Sequence, residues 1–163
     1  MANFLTTARL AVIAHLQAHA NLKDYVRRWY LYGAGDHLPL DVAKADCPAF
    51  EMGPAQNQPR PATNASDDFY YRLNFRLHSS GFDVADIEEF FSRATTALAE
   101  GEATRFGLAA ANGLYLADAG EVQVARQFEE AGTPDESIFR AVGWTASFPY
   151  TLRFRREPTG LNP

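Results

Sequence analysis

The stretch from Asp68 to Gly101 constrains the fold most, because a clearly patterned strand runs directly into a clearly patterned helix. Apolar and polar side chains alternate from Phe69 to His78, as in a half-buried antiparallel strand whose successive side chains point to opposite faces. The polar side of this strand carries Arg72 and Arg76. A Ser-Ser-Gly turn follows, and the pattern then changes to the period of a helix.

The start of this helix is strongly specified. Asp83 is expected to be the N-cap, since its carboxylate can accept hydrogen bonds from the first-turn amides. Phe82 and Ile87 match the spacing of a hydrophobic staple. Gly101 is expected to end the helix as a left-handed C-cap residue. Negative charge lies near the positive end of the helix dipole, on Asp86, Glu88 and Glu89. The apolar face is expected to cover the strand and comprises Val84, Ile87, Phe90, Phe91, Ala94 and Leu98.

The rest of the chain supplies one more helix and several shorter strands. An apolar stripe on Leu5, Ala8, Val12 and Leu16 predicts a helix over residues 4–20. A Pro-rich stretch, residues 53–67, is interpreted as a long exposed loop, either a plain connection or a partner-binding arm. A short helical turn is predicted within residues 108–116. Strands are predicted over residues 49–52, 121–128 and 143–156. Residues 24–32 fit a strand or a helical turn, and we favour the strand.

The last strand is the second clear one. Its apolar face includes Phe148 and Phe154, and its polar face carries Arg153 and Arg155. Pro149 cannot donate a ladder hydrogen bond and indicates an edge strand or a bulge. Together the elements predict a single α+β domain over residues 1–163. It is a mostly antiparallel sheet of four to five strands with two helices on one face, in the order α-β-β-β-α-β.

Little in the sequence indicates catalysis, so we expect no enzyme, no cofactor and no metal site. Phosphate-binding loops, nucleophile elbows and cysteine pairs are absent from the sequence. The single cysteine, Cys47, is interpreted as a small buried residue beside Pro48. His15 and His19 have a spacing that can hold a metal, but no third ligand is suggested, so we interpret them as solvated or interfacial.

Charge and hydropathy exclude two further classes. The net charge of −5 argues against a general nucleic-acid binder, although it leaves room for a local basic surface. No apolar run approaches the length of a bilayer span, so we expect no membrane partner.

The charged residues are unevenly distributed between the two main elements. One interpretation is an ordinary solvated surface. The other is a heterologous interface, in which the basic strand face of one subunit meets the acidic helix of the next and the contacts close into a ring. The candidate interface residues are Arg72, Arg76, Arg153, Arg155, Asp83, Asp86, Glu88 and Glu89.

The pattern of elements resembles the tail terminators (tail-completion or minor tail proteins) of lambda-like tailed bacteriophages. The matching pieces occur in the same order: the helix around Ala8–Leu16, the strand entry Asp46–Phe50, the aromatic strand Tyr70–Leu77, the helix start Asp83–Phe91 and the final strand Gly143–Arg155. They span most of the chain and are patterns of residue class, not catalytic signatures.

This resemblance implies a non-enzymatic structural protein of a phage or prophage. Proteins of that family form hexameric rings that cap the tail tube, stop its polymerisation and provide the surface for head joining. The implied partners are further copies of the chain, the tail-tube protein and a head-completion or connector protein, with no membrane and no sequence-specific nucleic acid. The implied location is the virion, with assembly in the cytoplasm of the bacterial host.

Two alternatives stay open at this point. A head–tail connector or neck protein of similar fold would show nearly the same sequence pattern. A small-ligand-binding or enzymatic α+β domain would need a concave pocket with convergent polar groups, for example around Asp36, His37 or Cys47.

Overall fold

A computed structural model of the 163-residue chain describes residues 4–31, 42, 44–58, 69–79, 83–109, 114–120, 127–131 and 143–156. Two α-helices and six strands lie within these ranges, together with short 3-10 turns at 44–46 and 105–107. In chain order the elements are α1 (Phe4–Ala18), β1 (Arg28–Leu31), β2 (Ala49–Gln58), β3 (Phe69–His78), α2 (Val84–Ala103), β4 (Leu114–Gly120), β5 (Gln127–Ala131) and β6 (Gly143–Arg156).

The strands form one mixed sheet in the order β1-β2-β3-β6-β4, with β5 also paired to β6. The pair β1–β2 is parallel, and the pairs that β3, β4, β5 and β6 make are antiparallel. The predicted α+β class with two helices is therefore confirmed. The described sheet has six strands instead of four to five: β4 was not predicted, and β5 overlaps the strand predicted over residues 121–128. The parallel pair was not expected, because no sequence feature of the short β1 distinguishes the direction of its pairing.

Both helices pack on one face of the sheet, which we call the inner face. The apolar side chains of β3 and β6 alternate onto this face and join those of the helices in one buried cluster. From α2 the buried side chains are Ile87, Phe90, Phe91, Ala94, Ala97 and Leu98, and from α1 they are Ala8, Val12, Ile13 and Leu16. The central αβ unit thus has the predicted packing, driven by removal of aromatic and aliphatic surface from water.

The N-terminus of α2 begins as predicted. Asp83 has extended backbone angles, and its carboxylate accepts a hydrogen bond from the Ala85 amide at 3.0 Å. Val84 departs from prediction, because its side chain is 38% exposed and does not belong to the buried face. Phe82, the other half of the proposed staple, lies outside the described residues.

The C-terminus of α2 differs from the prediction. The helix continues past Gly101 to Ala103, and Thr104 is its C-cap. Gly101 is a packing residue instead: a Cβ there would lie 2.6 Å from Cδ1 of Phe106 and 2.9 Å from Cδ2 of His15. The missing side chain of Gly101 lets the turn after α2 fold back against α1. The sequence does not reveal this tertiary contact, so the capping role, which is common for glycine near a helix end, was predicted instead.

Four other boundaries are corrected. Of the stretch 108–116, where a helical turn was predicted, residues 108–109 are not helical, 114–116 belong to β4, and 110–113 lie outside the described residues. Within the described part of the predicted 24–32, β1 covers Arg28–Leu31. The strand predicted over 121–128 is described from Gln127 and continues to Ala131, while 121–126 lie outside the described residues. β2 extends through Pro54 to Gln58 with a register shift between Gly53 and Gln56, so residues 53–58 are strand and not loop, while 59–67 lie outside the described residues.

Pro149 lies in a central strand, not an edge strand. β6 pairs with β3 on one side, where Pro149 faces Asn74, and with β4 and β5 on the other. The register with β4 ends at Thr151 and the register with β5 begins at Ser147, so Pro149 falls in the interval between them. Pro149, which has no amide hydrogen to donate, thus lies where the hydrogen-bond ladder between β6 and its neighbours β4 and β5 is interrupted. This interruption is the kind of irregularity that the proline indicated.

Candidate subunit interface

The four candidate arginines lie on the face of the sheet that points away from the helices, which we call the outer face. Arg72 and Arg76 alternate with the buried inner-face residues of β3, and Arg153 and Arg155 do the same on β6. The β3–β6 register makes Arg72 and Arg153 diagonal neighbours, since Arg72 faces Thr151 and Tyr70 faces Arg153, whereas Arg76 faces Ser147 farther along the same face. The alternation of the sequence therefore assigned all four side chains to the correct face.

The two arginines of β3 have different surroundings. Arg76 is exposed, and its Nε donates a hydrogen bond to Oγ of Ser147 at 3.2 Å. Arg72 is only partly exposed, and its Nε is shielded from water with no hydrogen-bond partner among the described residues. Thr151, directly across from Arg72, is 6% exposed, and its hydroxyl likewise lacks a partner there.

The acidic candidates all lie exposed near the start of α2, but two of them are already engaged. Asp83 caps the helix, and Glu89 forms an i,i+4 ion pair with Arg93, with 3.0 Å between Oε1 and Nη2. Among the described residues, Asp86 and Glu88 have no ion-pair or side-chain hydrogen-bond partner. The sequence already assigned Asp83 to the helix cap, and the structure adds that Glu89 is paired with Arg93.

Arg93 and Tyr25 define one side of this acidic segment. The Arg93 guanidinium lies 4.4 Å from the ring centroid of Tyr25 and donates to the Asn21 carbonyl at 3.0 Å. Burial raises the pKa of Tyr25, and the negative charges of Glu89 and Asp86 raise it further while Arg93 lowers it. Asp86 and Glu89 therefore face the Tyr25 side, whereas Glu88 shares helical spacing with the exposed Val84.

The outer face is covered at its β1 end. Tyr30, Val42, Cys47 and Ala49 form a second buried cluster there, and the Tyr30 hydroxyl donates to Asp46 at 2.9 Å. Beside this cluster, Glu51 and His78 are both buried and their side chains approach to 3.3 Å. Arg76 lies directly opposite Glu51 in the β2–β3 register, so the basic residues of β3 begin beside the covered end.

Cys47 is a buried structural residue, as interpreted from the sequence. Its exposure is 3%, and burial raises its pKa from 9.0 to about 11, with a smaller contribution from Asp46. A protonated, shielded thiol is a poor nucleophile, so this cysteine does not have the environment of a catalytic thiolate.

We predict that Cys47 resists DTNB in the native protein at pH 8 and reacts at once in urea, because its native thiolate fraction is about 100-fold below that of an unfolded thiol.

The raised pKa of Cys47 also predicts that the folded state loses stability at high pH. Both states are protonated below pH 9, whereas between about 9 and 11 the unfolded state ionises first. The free energy of unfolding, measured by urea titration across this window, should therefore fall more steeply with pH for wild type than for Cys47→Ala. Equal slopes, or rapid native labelling, would contradict the buried thiol.

The two histidines join the helices. Nε2 of His15 lies 2.7 Å from the carbonyl oxygen of Ala97, and Nε2 of His19 contacts the Glu100 carboxylate. Both therefore lie between α1 and α2, in line with the interfacial interpretation. Within the described ranges, no group of three or more His, Cys, Asp or Glu residues is placed to hold a metal ion. Asp36 and His37, the other suggested pocket residues, lie outside those ranges.

The helices that the structure describes do not include one long and apolar enough to cross a membrane.

Comparison with known proteins shows a likeness to solved structures. No protein-family profile matches the sequence, and no curated protein does. Among solved structures, the chain is similar to a chain of the "Virion of native gene transfer agent (GTA) particle", with a TM-score of 0.57 and 14% sequence identity. The superposition covers 94% of this chain and 99% of the virion chain. The likeness is one of fold. It extends over nearly the whole of both chains, so no large element of either is left unmatched.

Proposed function

We propose that this chain is a structural virion-assembly protein, and that its role is that of a tail terminator. The observation that carries the proposal is the fold likeness to a virion chain, which spans 94% of this chain and 99% of the other. The order of elements supports it as well, since the N-terminal helix, the aromatic strand, the acidic helix and the terminal strand follow the terminator pattern.

The proposed mechanism is edge matching between copies of the chain. The arginines lie on the outer face of the sheet, and the acidic start of α2 belongs to the helix layer on the inner side. Complementary charges on opposite sides of one molecule favour a heterologous contact, in which each copy uses a different surface toward each neighbour. Six such contacts would close a ring, one face of which would bind the last tail-tube ring and block further addition. The other face would bind the head-completion protein.

The described polar side chains support a structural role over an enzymatic one. His15, His19 and Glu100 hold the two helices together, Tyr30 and Asp46 close the second cluster, and the Cys47 thiol is shielded. Each of these groups contributes to packing between elements, which accounts for its position without a reaction.

Charge reversal on the outer face tests the proposal. We expect Arg72→Glu with Arg76→Glu to abolish self-assembly, because two attractive contacts per interface become repulsive, while the monomer keeps its fold. Sedimentation velocity would report assembly, and circular dichroism with thermal unfolding would report the fold. The neutral pair Arg72→Gln with Arg76→Gln should weaken assembly without abolishing it.

A matched control changes the net charge by the same amount at two other positions. Lys23 and Arg105 are exposed cations in the turns that follow α1 and α2. Reversing both should leave assembly unchanged, because neither lies on the outer face. Normal assembly of the Arg72/Arg76 variant, or equal loss in the control, would remove the outer face from the interface.

A further inference from the structure

The four arginines of the outer face differ in how accessible they are to another molecule. Arg72 and Arg153 are only partly exposed, and the Nε atom of each is closed to water. Arg76 and Arg155 are exposed. Arg155 lies at the last position but one of β6, whereas Arg76 lies on β3, which has β2 on one side and β6 on the other. Arg76 is therefore the accessible arginine in the middle of the sheet.

The outer-face positions beside Arg76 are covered. Glu51 lies directly opposite on β2 and is buried, and His78, the next outer position of β3, is buried as well. The Glu51 carboxylate approaches His78, with 3.3 Å between Oε1 and Nε2, and no ion pair joins it to Arg76 in the described part of the chain. The carboxylate beside Arg76 is thus directed to another residue, and the exposed guanidinium can meet an acidic partner.

Ser147 holds the Arg76 side chain on this surface. The two residues are directly opposite in the β3–β6 register, and Nε of Arg76 donates a hydrogen bond to Oγ of Ser147 at 3.2 Å. A guanidinium also carries N–H groups on Nη1 and Nη2, and those of Arg76 have no partner among the described residues. The edge formed by these two nitrogens matches the two oxygens of a carboxylate.

The bond to Ser147 lowers the entropic cost of binding at Arg76. A freely rotating arginine loses much of its side-chain freedom when a partner immobilises it, and this loss weakens the complex. Arg76 has already given up part of that freedom in the monomer, because its Nε is bonded to the neighbouring strand. Its terminal nitrogens are therefore presented to a partner in a preferred direction.

We propose that Arg76, positioned by Ser147, makes the direct contact between copies of the chain, and that its Nη edge binds a carboxylate of the neighbouring copy. The inference rests on the proposed ring and names the arginine that anchors it. Charge complementarity favours a second copy as the partner, because the start of α2 carries exposed carboxylates, Asp86 and Glu88, without an ion-pair partner among the described residues. Arg72 is less exposed, with its Nε closed to water, and contributes only long-range attraction.

Single changes to glutamine compare two arginines of the same strand and face. Arg76→Gln should raise the dissociation constant of assembly at least about tenfold, because a charge-assisted hydrogen bond is lost. Arg72→Gln removes the same charge and should raise this constant no more than about twofold. Arg76→Lys keeps the charge but has no Nε donor and no planar edge, so it should weaken assembly as well. Sedimentation velocity over a range of concentrations measures all three. Equal effects of the two glutamine variants, or normal assembly of Arg76→Lys, overturn the inference.

Ser147→Ala tests the positioning role at constant charge. The dissociation constant of assembly should rise about three- to tenfold, while the melting temperature of the dilute monomer stays the same. Ser147→Thr keeps an Oγ and should restore assembly. NMR relaxation of the Arg76 Nε–H group in the monomer does not depend on assembly: this group should be ordered in wild type and in Ser147→Thr, and mobile in Ser147→Ala. No change in either measurement for Ser147→Ala would show that Ser147 does not position the arginine.

The same measurements separate this contact from the proposed ring. Rings that form equally well from Arg76→Gln and from wild type remove the contact and leave the ring. A wild type that never assembles, alone or on tail tubes, removes the ring and the contact with it. Unchanged self-assembly of Arg76→Gln together with weaker binding to tail tubes would assign Arg76 to the tube protein, and would overturn the inference of a contact between copies.

Discussion

Replacing Phe90 by alanine is expected to lower the free energy of unfolding by about 3–5 kcal/mol, the largest loss that we predict for a single truncation. Phe90 has no exposed surface, and its ring lies 5.2 Å from the Tyr25 ring and 6.3 Å from the Phe50 ring, measured between centroids. It therefore joins α2 to both β2 and the segment after α1. Urea unfolding followed by circular dichroism would measure the loss.

A control for Phe90 exists on the same helix. Val84 is 38% exposed, so Val84→Ala should change the unfolding free energy by no more than about 0.5 kcal/mol. A loss below about 1 kcal/mol for Phe90→Ala would contradict the assignment of this residue to the centre of the core.

Replacing Gly101 by valine is expected to cost about 1–3 kcal/mol, although glycine is the weaker helix former of the two. The new Cβ would lie within 2.9 Å of the His15 ring and closer still to Phe106, so the turn after α2 must move away from α1. The aromatic contact between His15 and Phe106, whose ring centroids lie 5.4 Å apart, would be disturbed by the same movement. Thermal unfolding monitored by near- and far-ultraviolet circular dichroism is the measurement.

Two comparisons isolate the steric origin of this effect. Ala99→Val places the same side chain at an exposed position of α2, where it changes only the helix propensity. This change should lower the free energy of unfolding by about 0.5 kcal/mol. The double variant Gly101→Val/Phe106→Leu removes the obstructing ring. Its loss in the free energy of unfolding should be smaller than the sum of the losses of the two single variants. A fully additive double variant, or a stabilised Gly101→Val, would return Gly101 to the capping role suggested by the sequence.

The parts of the fold that could be predicted are those with a complete local pattern. β3 alternates over ten residues, α2 has a cap and an apolar stripe, and β6 repeats the alternation over fourteen, so local periodicity fixed both their type and their buried side. The errors occur where tertiary packing overrides local signals. Gly101 resembles a cap but fills a tight contact, and β4 is built from Leu-Tyr-Leu-Ala-Asp-Ala-Gly, whose strand state depends on pairing with β6.

The candidate interface was predictable only as two faces of opposite charge. Alternation placed Arg72 and Arg76 on one face, and helical position placed Asp86 and Glu88 at the start of α2. The partners of Asp83 and Glu89 are local, whereas the partner of Arg76, Ser147, is far away in the sequence and could not be read from it.

The mass of the assembled protein tests the central claim most directly. We would record native mass spectra of the wild-type chain over a range of concentrations, alone and with purified tail tubes, and image the assemblies by negative stain. The account predicts rings whose mass is six times the 18.1 kDa of the chain, in solution or at the end of the tube. A chain that stays monomeric at every concentration and adds to no tube end would contradict it.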